Sequence, residues 1–220
     1  MRTLRLLKII LTFKRYGLFQ VLNINDKTSR LARLLEFMLW FIPQKYPDQP
    51  LPLRIKLAFE YLGPVFVKFG QLLSTRPDLI PSEYLSELAK LQNQVKPFDS
   101  LQSRQIVASA LGKPLEQIFS QFSDDPVASA SIAQVHRARL LENGHEVAVK
   151  VLRPKIAKVI NKDIQLLKAV ALVVEKLFSD GKRLRPQEIV DEFESVIHEE
   201  LDFLQEAGNS TELSRLHKKD

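Results

Sequence analysis

Apolar residues recur every three or four positions over most of this chain, which predicts amphipathic helices. The helical pattern covers residues 1 to about 43, 53 to about 120, 154 to 178 and 186 to 216. From Phe119 the helical period is lost, and strand-like segments follow from Val127. The predicted strands are 127–130, 134–141 and 146–152. A small sheet set between helical segments indicates an α+β fold.

Prolines and a glycine mark the boundaries between these elements. Three prolines within residues 44–52 predict a linker. Asn143-Gly144 predicts a hairpin between the last two strands. The chain therefore divides into a basic helical region, a helical extension and a region that holds the sheet and two further helices. The predicted bounds of these regions are 1–43, 53–118 and 119–220.

Composition excludes several kinds of chemistry. The 220 residues are 45% hydrophobic and 26% charged, which is typical of a globular protein. Cysteine is absent, so disulfides, thiolate nucleophiles and cysteine metal sites are excluded. The four histidines lack a spacing that places two of them on one helix face, so no metal site is predicted.

The net charge of +6 is concentrated at the start of the chain, where five cations and several leucines precede the first acidic residue, Asp26. This pattern predicts a basic amphipathic helix suited to an anionic membrane surface. The alternative is a helix that docks on its own protein. The apolar stretch 31–42 is too short for a transmembrane span. A nucleic-acid partner is not expected, because the cations alternate with leucines and lack aromatic stacking residues.

One lysine, Lys150, lies within the apolar strand Val147–Leu152. An unpaired buried charge is costly, so its ammonium group is expected to face an anion. Just upstream, residues 128–136 form a run of small residues between two predicted strands. In protein kinases a strand lysine contacts the ATP phosphates and a helix glutamate beneath such a hairpin. The two segments predict a nucleotide-phosphate site, with alanines where kinases keep glycines.

Glu200 interrupts the apolar stripe of the last predicted helix, three residues after Ile197 and four before Leu204. A carboxylate that points inward needs a cation, and the predicted partner is Lys150. In the alternative, Glu200 lies at the edge of the stripe and reaches solvent.

Lys68 and Gln71 break an otherwise apolar helix at residues 64–73. Because they are three residues apart, they are expected to present an ammonium group and an amide on one face. Gly70 between them would allow a neighbouring backbone to approach closely. In the alternative, Lys68 extends to solvent at the rim of a helical core.

The order and spacing of several motifs, from about Leu53 to Asn209, are too specific for coincidence. These motifs are Lys68-Phe-Gly-Gln71 with the following Leu72–Leu79, Ala128–Val135, Val149-Lys150, Arg153-Pro154 and Glu200-Leu-Asp202. With them the chain resembles the UbiB family of atypical protein-kinase-like proteins in ubiquinone biosynthesis. The resemblance implies a protein-kinase-like N-lobe, with a small antiparallel sheet and an αC-like helix, after an N-terminal helical extension.

The resemblance also implies roles for individual residues. Lys68 and Gln71 would belong to the KxGQ motif, whose helical extension obstructs the place of a protein substrate. Lys150 would contact nucleotide phosphates and pair with Glu200, and Asp202 would complete the ExD motif. Glu206, one turn after Asp202, would add to that polar face. The implied nucleotide-binding residues are Val127, Ala128, Ser129, Ala130, Ser131, Ile132, Ala133, Gln134, Val135 and Lys150.

The chain departs from the family after Glu200. The last twenty residues hold no counterpart of the catalytic-loop Asp and Asn or of the metal-binding Asp-Phe-Gly motif. The expectation is an N-terminal portion of a longer protein, without the C-lobe, without catalytic residues or metal ligands of its own, and inactive alone. The C-terminal hydrophobic spans of bacterial members are also absent. Membrane contact would therefore be peripheral and rest on the N-terminal helix.

For the complete protein, the resemblance implies binding of ATP or ADP with Mg²⁺. It implies an ATPase or unorthodox kinase activity that supports ubiquinone synthesis at the cytoplasmic face of the inner membrane. The implied partners are the membrane surface, isoprenoid or quinone-precursor lipids, and ubiquinone-synthesis enzymes. The alternative is a non-catalytic membrane-bound scaffold or isoprenoid-lipid chaperone. In it, the helices around Phe66 and Phe69 contact lipid and the nucleotide acts as a switch.

Overall fold

The computed structural model describes residues 2–18, 37, 39–92, 96–177 and 184–202. Its helices and strands confirm the predicted α+β class. The helices are α1 (Arg2–Arg15), α2 (Leu51–Leu62), α3 (Pro64–Ser74), α4 (Ser82–Leu88), α5 (Ser100–Leu111), α6 (Ile156–Leu177) and α7 (Pro186–Leu201), with a 3-10 turn at Leu115–Gln117. The strands are β1 (Phe119–Phe122), β2 (Ala128–Ser129), β3 (Ala133–Leu140) and β4 (Glu146–Leu152). The predicted helical residues 19–36 and 203–216 lie outside the described part.

The chain forms two compact units. The sheet unit is Gln92–Ile156, and the helical unit combines Met1–Leu91 with Ala157–Asp220. The helical unit is thus built from two segments that are distant in sequence. The three regions predicted from the sequence divide the chain in linear order, which is a different kind of division. Their bounds, 1–43, 53–118 and 119–220, stay predictions.

The sheet is organised around β3. Strand β4 pairs antiparallel along the whole length of β3, from Ala133 opposite Leu152 to Arg139 opposite Glu146. On the other side, β1 pairs with the C-terminal half of β3 and β2 with its start. The Asn143-Gly144 turn closes the β3–β4 hairpin as predicted, with Gly144 at a φ of 71°.

Strand β1 was not predicted. Its four residues have both phenylalanines, Phe119 and Phe122, turned toward the core, and its register against β3 shifts between Phe119 and Gln121. A shift of this kind inserts an extra residue and breaks the alternation of polar and apolar positions. The local sequence therefore lacks the two-residue period that identifies a strand.

The two faces of the sheet differ in environment. Residues directly opposite one another on antiparallel strands point to the same face. One face carries Gln134, Ala138 and Val151, all buried, and packs against Val107 of α5. The side chains of Val135, Arg137 and Lys150 are on the opposite face, because they alternate with the buried positions.

The helical unit buries its own apolar core. Pro64 begins α3 directly after Gly63, whose φ of 104° ends α2. The ring of Phe59 on α2 packs against those of Phe66 and Phe69 on α3, with centroids 6.0 and 6.4 Å apart. Further core side chains are Ala58, Leu62, Val65, Ile160, Ile164, Val190, Phe193 and Ile197.

Helix α1 docks on the helical unit through one face. Arg5 donates hydrogen bonds of 2.7 and 2.5 Å to the carboxylate of Asp163 on α6 and one of 2.9 Å to the carbonyl of Leu62. The Asp163 side chain is 2% exposed. Tyr16, just after the helix, packs against Ala58. The alternative considered from the sequence, docking on the protein itself, therefore holds for this face.

The other face of α1 remains accessible. Leu4 and Leu7 are 70% and 49% exposed. Among the described residues, no helix is both long enough and apolar enough to cross a membrane.

Breaking the Arg5–Asp163 pair should destabilise the protein strongly. Arg5→Met should lower the free energy of unfolding by about 3–5 kcal/mol, because it leaves a carboxylate buried without a partner. Arg5→Met/Asp163→Leu should recover most of this loss, since both charges are removed. Urea titrations followed by circular dichroism measure the two values. Lys90→Met, which breaks the exposed pair with Glu87, is the control and should cost less than about 1 kcal/mol. Equal losses in the single and double variants would contradict this account.

Candidate functional site

The predicted lysine and the predicted small-residue hairpin share one face of the sheet. Lys150 lies opposite Val135 on β3, and Val135 lies opposite Ala128 on β2. Because cross-strand partners point the same way, Ala128, Val135 and Lys150 form one row across the sheet. This row is on the face opposite to Gln134 and Val151. The structure therefore brings these parts of the predicted nucleotide site together.

The hairpin loop has a backbone that alanine can adopt. The Ala130 N–H donates to the Ala133 carbonyl at 2.8 Å and closes the turn. None of residues 128–135 has a positive φ. The methyl groups therefore cause no backbone strain, and the turn does not require glycine.

The predicted nucleotide residues differ in how accessible they are. Val127, Ala128 and Ala130 are exposed, and Ser129, Val135 and Lys150 are half-buried. The buried members are Ser131, Ile132, Ala133 and Gln134. The part of the hairpin that a ligand can reach is therefore its exposed alanine edge.

Gln134 has a structural role on the core face. Its amide oxygen accepts from the Phe98 N–H at 3.1 Å, and its amide nitrogen donates to Ser103 Oγ at 2.7 Å. The second amide hydrogen points to His136 Nε2 at 2.8 Å, while His136 Nδ1 lies 2.8 Å from the Ser123 carbonyl. A carbonyl only accepts, so Nδ1 carries the proton and Nε2 accepts. This buried network joins β3 to α5 and to the segment before it.

Lys68 and Glu200 form an ion pair within the helical unit. The Lys68 ammonium group on α3 contacts Oε1 of Glu200 on α7, with side chains that are 22% and 35% exposed. In the alternatives considered for these two residues, each side chain extends into solvent; in the structure the two side chains are paired with each other. Among the described residues, Glu200 Oε2 is buried without a hydrogen-bond partner. The carboxylate therefore has acceptor capacity left.

The other residues of the Lys68 motif are also used inside the helical unit. Gln71 donates from its amide nitrogen to the carbonyl of Leu91 at 2.8 Å. A Cβ atom at Gly70 would lie 2.4 Å from Leu91 Cδ1 and 2.7 Å from Phe59 Cδ2. Gly70 thus allows close packing as predicted, although against side chains and not against a backbone.

Helices α3 and α7 are joined along their length. Beyond the Lys68–Glu200 pair, the rings of Phe69 and Phe193 pack edge to face, with centroids 5.2 Å apart. A third contact joins Arg76, just after α3, to Glu192 at 2.6 Å. We call these three contacts the α3–α7 seam. Along the seam, residue numbers rise on the α3 side and fall on α7. The helices are therefore antiparallel at the seam.

Arg76 orders the turn that follows α3. Its guanidinium group also donates two hydrogen bonds to the carboxylate of Asp78, at 3.1 and 3.0 Å. These hydrogen bonds lower the pKa of Asp78 and raise the pKa of Arg76. Both groups are thus held in their charged forms.

The remaining predictions for this region stay open. Lys150 belongs to the sheet unit and Glu200 to the helical unit, so their pairing stays a prediction. Asp202 is exposed directly after α7 and donates its N–H to the Glu199 carbonyl at 3.1 Å. Glu206 lies outside the described residues. In the described part of the chain, no group of three His, Cys, Asp or Glu side chains is placed to hold a metal ion.

Sequence reasoning assigned no role to Arg153 and overlooked the core-face function of Gln134. The sequence did hold a signal for Gln134. Alternate positions of β3 share a face, which places Gln134, His136 and Ala138 on one face and the two arginines on the other. Two polar residues on the face that also carries the buried Ala138 indicate a hydrogen-bonded network inside the core.

A small antiparallel sheet that carries a lysine on the same face as a hairpin loop, accompanied by helices, defines a kinase-like N-lobe. Residues 90–220 match the ABC1 atypical kinase-like domain. The chain belongs to this family. The matched residues include the hairpin, Lys150 and Glu200.

A solved structure of Rv3197 from Mycobacterium tuberculosis, in complex with erythromycin, is also similar. The two chains are 28% identical, and the match covers 82% of this chain and 42% of the Rv3197 chain, with a TM-score of 0.39. The chain thus spans about two fifths of the length of that protein.

The Lys68–Glu200 pair should contribute measurably to stability. A double-mutant cycle with Lys68→Met and Glu200→Gln should give a coupling energy of about 1 kcal/mol, at the upper end of values for exposed pairs, because both side chains are half-buried. Urea titrations of the four proteins measure it. The exposed Arg185–Glu188 pair, at 3.4 Å, serves as the control and should give a coupling close to zero. A Lys68–Glu200 coupling no larger than this control would contradict the contact.

Proposed function

We propose that this chain binds the phosphates of ATP or ADP, with Mg²⁺ carried by the nucleotide, on the sheet face that bears Lys150. The observation that carries the proposal is the row of Ala128, Val135 and Lys150 across the sheet. The ammonium group of Lys150 neutralises phosphate charge, and the exposed alanine edge of the hairpin covers the phosphates. The family match supports this assignment because its residues include both segments.

The residues present fit a nucleotide in their chemistry. A half-buried lysine on an otherwise apolar strand is favoured where an anion is bound beside it. The Ala128 and Ala130 methyl groups restrict the approach of phosphate to the backbone amides more than glycine would. ATP, when bound, supplies a transferable phosphoryl group. For the complete protein we therefore propose an ATPase or unorthodox kinase activity and, from the resemblance to the UbiB family, a role in ubiquinone synthesis.

We propose a small-molecule or lipid substrate, with no protein phosphorylated in trans. This part rests on the resemblance of the Lys68-Phe-Gly-Gln71 segment to the KxGQ motif. The contacts of Lys68 and Gln71 inside the helical unit support a rigid extension, because each polar group is held by a partner.

Lys150→Ala should weaken ATP binding at least about tenfold, the effect of losing one charge-assisted contact to phosphate. Isothermal titration calorimetry with MgATP and MgADP measures the affinity. Lys113→Ala, at an exposed position of the same unit, is the matched control and should leave the affinity unchanged. Equal affinities of the Lys150→Ala variant and the unmodified protein would overturn the proposal.

A second proposal concerns the exposed face of α1, for which we propose an anionic membrane surface as the partner. Leu4 and Leu7 help to line a groove of about 400 Å³, together with other residues of α1 and with Ile42, Pro43 and Tyr61. The cations Lys8 and Arg15 also line this groove. Apolar side chains flanked by cations suit the boundary of an anionic bilayer. With the family resemblance, we propose that the protein lies at the cytoplasmic face of an inner membrane as a peripheral protein.

The scaffold hypothesis loses one of its supports. Phe66 is 3% exposed, and Phe69 packs against Phe59 and Phe193. Phe66 belongs to the core of the helical unit and Phe69 is half-buried against two other rings, so these rings offer little surface to lipid. Lipid contact is instead assigned to α1. In the complete protein, ATP turnover that vesicles stimulate and Lys150→Ala abolishes favours the enzyme, whereas lipid binding that is indifferent to Lys150→Ala favours the scaffold.

The chain carries one tryptophan, Trp40, which is 75% exposed close to the groove residue Ile42. Its emission should shift to shorter wavelength with phosphatidylglycerol vesicles and much less with phosphatidylcholine vesicles, because a tryptophan that enters the interface loses water and the cations favour anionic lipid. Leu4→Asp/Leu7→Asp should abolish the shift. Leu111→Asp, at a position 50% exposed in the sheet unit, is the control and should retain it. Equal shifts with both lipids, or none, would contradict the proposal.

A further inference from the structure

Arg153, directly after β4, contacts the hairpin loop at several points. Its Nε donates to the Ala130 carbonyl at 3.0 Å, and its Nη2 donates to Ser129 Oγ at 2.9 Å. The same Nη2 donates to the Lys96 carbonyl at 3.0 Å. The backbone N–H of Arg153 donates to the Ile132 carbonyl at 2.8 Å. One residue therefore holds three of the loop's residues and joins them to the segment before α5.

These contacts reach the loop from the face opposite to Lys150. Ser129 pairs with Gln134, and Gln134 pairs with Val151, so their side chains share the core face. The Arg153 guanidinium group lies 5.7 Å from the centre of the Phe98 ring, and Phe98 itself donates to Gln134. The loop is thus supported from behind, and its exposed alanine edge remains available on the other face.

The acceptors of Arg153 are neutral. Among the described residues, no carboxylate pairs with its guanidinium group, and partial burial lowers the pKa of Arg153. Withdrawing a cation from water without a counter-charge is unfavourable, so ordinary surface solvation does not account for its position. A planar guanidinium group presents donors in a fixed fork and can hold several acceptors at once. A lysine at this position would lack that geometry.

We propose that Arg153 is a positioning residue, which holds the alanine-rich loop in the conformation that receives nucleotide phosphates. This inference rests on the proposed nucleotide site. Arg153 acts through Ser129 and Ala130, without contact to the nucleotide. A loop already held before binding loses less conformational freedom when the nucleotide arrives, which raises affinity. Arg153 thus supplies order to a loop whose alanines already limit its backbone freedom.

Hydrogen exchange of the full chain without nucleotide tests the clamp directly. Amides 129–133 should exchange at least about tenfold faster in Arg153→Lys and Arg153→Ala, since the loss of one charge-assisted hydrogen bond corresponds to about that factor. Ser129→Ala should show a smaller increase. Ser131→Ala is the matched control, because its buried hydroxyl has no hydrogen-bond partner among the described residues; it should leave exchange unchanged. Unchanged exchange in both Arg153 variants would overturn the clamp.

Affinity for MgATP and MgADP supplies the second readout. Arg153→Lys should weaken binding about threefold to tenfold although the positive charge is kept, because its single ammonium group cannot replace the fork. Ser129→Ala, which retains Arg153 and is the milder change to the fold, should weaken binding less. Faster exchange with unchanged affinity in Arg153→Lys would overturn the positioning role.

Lys150→Ala separates this inference from the proposed function. It should reduce nucleotide affinity while loop exchange stays as in the unmodified protein. If nucleotide binding is indifferent to Lys150→Ala, the proposed function fails, whatever the exchange of the loop. If Lys150→Ala weakens binding and Arg153→Lys does not, the proposed function stands and the inference about Arg153 fails.

Discussion

The register between β3 and β4 is the constraint on which the sheet unit depends. Because Val135 lies opposite Lys150 and Gln134 opposite Val151, side chains alternate between a buried face and an accessible face. A one-residue slip of β4 would bury Lys150, and a one-residue slip of β3 would expose Gln134. The buried hydrogen bonds of Gln134 to Phe98 and Ser103 oppose such a slip, since breaking them leaves polar groups without partners. The core-face network therefore fixes the orientation of β3, the strand with which the strand of Lys150 is paired.

The α3–α7 seam plays the corresponding role in the helical unit. It joins a helix in the first third of the chain to one near residue 200 by an ion pair at each end and an aromatic contact between them. The ion pairs fix the alignment of the two helices more than they add to stability, because partly exposed pairs contribute about 1 kcal/mol or less. Phe193, 2% exposed, contributes through burial. Geometry and stability thus come from different residues of one seam.

Helix α1 shows how one amphipathic pattern serves two surroundings. Arg5 and Tyr16 belong to the face that docks on the protein, while Leu4 and Leu7 remain exposed beside cations. The sequence alone offered docking or membrane contact as alternatives, because both require an apolar stripe with cations nearby. The buried Asp163 decides that Arg5 points inward, and no local pattern reveals this carboxylate as its partner.

The sequence alone predicted the helices and the β3–β4 hairpin, because periodicity and turn residues are local properties. It also singled out Lys68, Lys150 and Glu200, because each charge interrupts an apolar segment. Strand β1 was not predicted, since a bulge removed its alternation. Partners could not be predicted either: Lys68 is 132 residues from Glu200, and Arg153 is more than 20 residues from the loop it holds. The sequence determined which segments are helix or strand and which positions carry charge. Tertiary packing decided which charges meet and which face Gln134 occupies, because these depend on contacts between segments that are distant along the chain.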